Sequence, residues 1–210
     1  MISNYEKQVD ISRQYFLQYR PEKLAAKFHL KTDASYLYLR YLNTDYRISK
    51  ETAAIEACTS DGYVECREYT VVMTIYDMLC HGKEDRIPAL TGDWKLIGNF
   101  AAAGSSPDAN LFAQKYADAF NGKSEDLKKA CIALGGEILS RLAGADVTTR
   151  IPVFSFFPVL LQFWEGDDEF PPQIRILWDG QTMKFLHFET TYYLQGDLLD
   201  RLAELLQVSV

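Results

Sequence analysis

Val159-Leu160-Leu161-Gln162-Phe163-Trp164, then Glu165-Gly166-Asp167-Asp168-Glu169-Phe170-Pro171-Pro172, then Gln173-Ile174-Arg175-Ile176-Leu177-Trp178: this passage decides the fold class. Its first segment is aliphatic and aromatic, and Pro158 ahead of it suits the first position of a strand. Its last segment alternates polar and apolar side chains at period two, the pattern of a half-buried strand. Between them Gly166-Asp167 permits a reversal and the two prolines stiffen the exit. Asp179-Gly180 then leads into 183–188, so the passage predicts three strands in meander order, at 159–164, 173–178 and 183–188.

On the C-terminal side, Leu194, Leu198, Leu199, Leu202, Leu205 and Leu206 recur at helical spacing and predict an amphipathic helix that closes the core. On the N-terminal side, Ser124-Glu125-Asp126-Leu127 opens a helix expected to run through Cys131, Leu134, Ile138 and Leu142, kinked at Gly135-Gly136. Ser106-Pro107 reads as an N-cap and a first-turn proline for a helix through Leu111, Phe112, Tyr116 and Phe120. Residues 83–104 lack periodicity and read as a long connection with a short strand near 94–97. Tyr69, Val72, Met73, Tyr76, Leu79 and Cys80 form a helical stripe that begins at Cys66 and that Gly82 closes. Tyr36-Leu37-Tyr38-Leu39-Arg40-Tyr41-Leu42 and Tyr46-Arg47-Ile48 flank Asn43-Thr44-Asp45 as a hairpin, extended by a strand at 53–57. Tyr5, Val9, Phe16 and Tyr19 share a helix face, Pro21 breaks that helix at Arg20, and a second short helix passes Leu24 and Phe28. The class is α+β: antiparallel β-meanders with packed helices and a closing C-terminal helix, in a single domain over 1–210 with an N-terminal helical segment at about 3–29.

Charge excludes some partners. Lys and Arg total 22 against 29 Asp and Glu, a net charge of −7, and residues 161–200 hold eight acids against Arg175 and Lys184. Nucleic acid and anionic membrane surfaces are repelled by such a chain, which has no basic cluster elsewhere. The longest apolar run, near 151–164, is broken by Pro152, Pro158 and Gln162 and is too short to span a bilayer. Residues 1–6 lack the basic and apolar regions of a signal peptide, so a cytoplasmic location is expected.

Cys58, Cys66, Cys80 and Cys131 include no C-x-x-C pair, and they read as buried or half-buried reduced thiols without a metal. Cys80-His81 are helix neighbours that point in different directions, which does not make a catalytic dyad. His29, His81 and His187 are too scattered along the chain to suggest a triad or a metal-binding set, and each reads as a surface or satisfied-core histidine. Phosphate-loop, dinucleotide, zinc-protease and nucleophile-elbow motifs are absent from the sequence. Gly104-Ser105-Ser106-Pro107 can offer backbone N–H groups to an anion, though an ordinary N-cap explains it equally well.

The run from Phe163 to Pro172, followed by Ile174, Ile176, Leu177 and Asp179, resembles the signature of an uncharacterised bacterial and archaeal family catalogued only as a domain of unknown function. Gly92-Asp93-Trp94 and Ile151-Pro152-Val153 resemble other parts of that family, so the likeness covers most of the chain. In some members the resemblance implies an accompanying cysteine-rich iron–sulfur segment. The four cysteines here do not match one, so no redox role carries over, and because the family supplies no known activity no catalytic residue does either.

The acidic run has two readings. As a solvated turn, its like charges stay apart in water and blunt a sheet edge. As a site, Glu165, Asp167, Asp168 and Glu169 offer clustered carboxylate oxygens to a hard cation, or a carboxylate pair for acid/base work, with Trp164 and Phe170, and Trp94 or Trp178 brought in by folding, as an aromatic wall. The predicted function is therefore a cytoplasmic, non-catalytic binding or accessory module for a protein or small-molecule partner, with no cofactor. The alternative is a metal-assisted hydrolase using the acidic loop 165–169, and the sequence leaves open whether any reaction is catalysed.

Overall fold

The computed structural model describes residues 4–82, 85–100, 109–140 and 142–210. The chain divides into two compact units, Met1–Ala89 with Gln181–Leu194 and Leu90–Gly180 with Gln195–Val210. The class is α+β, as the sequence predicts. No described helix is long and apolar enough to cross a membrane.

The first unit opens with α1 (Asn4–Phe16) and α2 (Pro21–Phe28). Arg20 is extended, at φ −87° and ψ 113°, because a following proline disfavours helical geometry, and Pro21 then occupies the first helical turn. Strands β1 (Lys31–Thr32), β2 (Tyr36–Tyr41), β3 (Thr44–Ser49), β4 (Ile55–Thr59) and β5 (Gly62–Glu65) pair antiparallel, β5 to β4 to β3 to β2, with β1 also on β2. The β2–β3 turn is Leu42-Asn43, with φ of 46° and 59°, a two-residue loop one position earlier than predicted. This register sets Leu37 opposite Ile48, both fully buried. The next strand starts two residues late, at Ile55, because Ala53 turns with φ 59°. β5 carries no apolar alternation to announce it, and its ladder continues to Cys66, whose N–H bonds Ile55 O, so α3 (Tyr69–Cys80) begins only after that residue.

The second unit contains β6 (Trp94–Leu96), α4 (Ala109–Phe120), α5 (Ser124–Ala133), β7 (Glu137–Ile138), β8 (Val147–Phe154), β9 (Phe157–Trp164) and β10 (Gln173–Asp179). The order is β8-β9-β10-β6, all antiparallel, with β7 on β8. Three predictions are corrected. α5 ends rather than kinks at the glycine pair: Gly135 is left-handed at φ 81°, Gly136 N–H bonds Cys131 O, and a Cβ on Gly136 would lie 2.6 Å from that oxygen. Residues 147–164 form a hairpin, with Pro152 opposite Pro158, so a strand precedes the one predicted at 159–164. The third meander strand is accordingly β8, and 183–188 is a short turn leading into α6 (Phe188–Leu206). In α6 Leu194, Leu198, Leu199 and Leu202 are fully buried, whereas Leu205 is 40% exposed, against the prediction. The predicted N-cap at Ser106-Pro107 and the loop ahead of it lie outside the described residues.

Candidate functional site

The acidic run sits between β9 and β10 in the second unit, and its carboxylates serve backbone groups. Glu165 accepts hydrogen bonds from the backbone N–H groups of Gly122 and Ser124 and from the Ser124 hydroxyl, at the N-terminus of α5. Asp167 Oδ1 accepts from Glu169 N–H at 2.9 Å and Phe170 N–H at 2.8 Å. Those two donors hold the Asp167 carboxyl below the usual carboxylate range. Asp168 and Glu169 are exposed. Trp164 donates its indole N–H to Ala143 O at 3.3 Å and lies under the Arg175 guanidinium. Trp94 pairs with Asp179 and Trp164 with Gln173, at opposite ends of β10, which sets their pairing positions about 20 Å apart along the strand. The run therefore places Glu165 and Asp167 on separate backbone donors, and Trp94 away from both.

Another constellation assembles in the first unit. Among the described residues, Asp77, His81 and His187 form the group of potential ligands whose donor atoms all lie within 4.8 Å of one another. Asp77 and His81 are four apart and share a face of α3, whose other side chains are largely buried. The end of α3 is well anchored: Tyr19 donates its hydroxyl to Cys80 O at 2.7 Å and Lys27 its ammonium to Gly82 O at 2.7 Å. Gly82 is a glycine for a reason of space, since a Cβ there would lie 3.0 Å from Lys184 O and 3.1 Å from Lys27 Nζ. His187 comes from the segment before α6, where buried Phe185 and Leu186 fix the backbone and leave the imidazole outside.

Four contacts tie the group together. Asp77 accepts the His187 backbone N–H at 2.8 Å and lies 2.6 Å from His187 Nδ1. His81 Nε2 lies 3.0 Å from Met183 O, and His81 Nδ1 lies 3.2 Å from His187 Nε2. A carbonyl and a carboxylate only accept, so His81 carries a proton on Nε2 and His187 one on Nδ1. The remaining nitrogens of the neutral rings are then two lone pairs 3.2 Å apart, which repel unless a proton or another cation joins them. The rings are nearly perpendicular, at 69°, with centroids 4.0 Å apart. A collinear N–H···N bond would hold the centroids about 5.5 Å apart, so the contact is strongly bent. The Asp77 side chain is 13% exposed and that of His187 67%, an inner carboxylate and an outer imidazole.

The family comparison covers both regions. The chain belongs to the family described as domain of unknown function (DUF3786), which matches residues 20–201. No curated protein and no solved structure matches the chain. The match includes Asp77, His81 and His187 as well as the acidic run, but no part of α1. Sequence reasoning passed over the histidine pair because its members are 106 positions apart. The local signal was Asp77 four residues before His81 on a helix. The neighbouring thiol is not part of the site: Cys80 is buried, and burial, with the charge of Asp77, pushes it up to about 12. Cys131 is likewise buried, while Cys66 is half-buried and Cys58, against expectation, is exposed.

Proposed function

We propose that the chain is a cytoplasmic, non-catalytic binding module whose ligand site is the His81–His187 pair supported by Asp77. One observation carries this reading: two imidazole nitrogens lie 3.2 Å apart while the other nitrogen of each ring is already held by a fixed acceptor. Each ring is thereby held by its acceptor in one tautomer before any ligand arrives, which lowers the ordering cost of binding. On this reading the acidic run is a structural signature of a bacterial and archaeal family. The hydrolase alternative needs the 165–169 carboxylates to converge, and Glu165 and Asp167 are each engaged with backbone donors instead.

A thermal-shift panel of divalent metal ions, inorganic phosphate and small carboxylates tests the reading. At least one class is expected to raise the melting temperature of the native chain and to leave a His81→Ala/His187→Ala variant unmoved, because a ligand of the folded state alone stabilises it by mass action. Equal responses from both proteins, no response to any class, or turnover of a generic ester or phosphate that the double variant loses would contradict it.

A further inference from the structure

We infer that the ligand of this site is a divalent transition-metal ion of the zinc, nickel or copper class, bound by His81 Nδ1 and His187 Nε2 with Asp77 as the positioning residue. The inference rests on the binding-module reading and adds the ligand's chemistry. Metal-bound histidines present one nitrogen to the ion and donate the other ring N–H to a carboxylate or a backbone carbonyl, which fixes ring and tautomer. Both rings here have that second partner: Asp77 Oδ1 for His187 at 2.6 Å and Met183 O for His81 at 3.0 Å. Tetrahedral zinc with N–metal distances of about 2.0 to 2.1 Å holds two coordinating nitrogens about 3.3 Å apart. The observed separation is 3.2 Å.

An ion between the two nitrogens takes the place of the cation that two lone pairs at this distance require. The ring centroids, 4.0 Å apart, have to open to about 5 Å around a tetrahedral ion, a swing available to the exposed His187 ring. Imidazole donors select transition metals over magnesium and calcium, which prefer oxygen. An anion is the weaker candidate, because the Asp77 carboxylate already lies against His187. With two protein nitrogens, the remaining coordination positions belong to water or to a donor from a partner molecule.

Equilibrium dialysis of the tag-free chain against Zn²⁺, and in parallel against Mg²⁺, tests the inference, with circular dichroism establishing that each variant is folded. One equivalent of zinc and no magnesium is expected. His187→Ala, at a side chain largely in solvent, should abolish binding. Asp77→Asn should weaken it about 10- to 100-fold, as loss of a ligand's orienting partner does. Cys58→Ser/Cys66→Ser should bind as the native chain does. A folded native chain that takes up no zinc, or zinc lost only when the cysteines are replaced, overturns the inference. Failure with zinc together with a phosphate-induced melting shift that needs both histidines would overturn the metal and leave the binding module standing. Absence of any histidine-dependent shift would remove both.

Discussion

Glu165 and Asp77 are both acids that hold backbone N–H groups, yet they do different things. Glu165 caps α5 through Gly122 and Ser124, so its carboxylate is directed into the protein. Glu165→Ala is expected to destabilise the chain by about 1 to 2 kcal/mol, the usual loss for a helix cap, measured by urea unfolding. Asp168→Asn should leave the midpoint unchanged, because Asp168 is exposed. Equal effects from the two would contradict the division of the acidic run into one capping carboxylate and outer, solvated ones. Asp77 instead holds one residue twice, through the backbone and ring of His187, and so aims a side chain. Composition presents both simply as carboxylates, and partners distant in sequence separate their roles.

At the scale of elements, the readable parts were those with strong local chemistry. The β2–β3 hairpin followed from its aromatic density, α2 from Pro21, and α6 from its leucine spacing. What the sequence hid was decided by partners distant along the chain. β5 and β7 have little apolar pattern and exist as strands because β4 and β8 supply hydrogen-bonding edges. The helix expected through Leu142 stops at Ala133, because Gly135 takes a left-handed turn and Gly136 presses against Cys131 and Thr149. A methyl group at Gly136 would meet Thr149 Cγ2 at 2.8 Å and Cys131 O at 2.6 Å. Gly136→Ala is therefore expected to lower the free energy of unfolding by more than the fraction of a kcal/mol typical of surface changes. A neutral or stabilising result would mean that the α5–β7 junction is not tightly packed.

Across the whole molecule, each compact unit is made of two separate stretches of chain, so the segment 181–194 belongs with residues 1–89 despite its position. That return brings His187 to His81, and it is why the candidate site was not legible in a sequence read left to right. The sequence contains three histidines, so their ring nitrogens can be followed individually. His29, exposed at the left-handed end of α2, serves as an internal reference. The central claim is that Asp77 and Met183 O orient two imidazoles toward one shared ligand. Long-range ¹H–¹⁵N correlation spectra of histidine-labelled protein test it most directly. The expected spectrum has His81 protonated at Nε2 and His187 at Nδ1, with the His187 preference lost in Asp77→Ala while His29 stays unchanged. A His187 protonated at Nε2 alone, or tautomers indifferent to the loss of Asp77, would contradict the account.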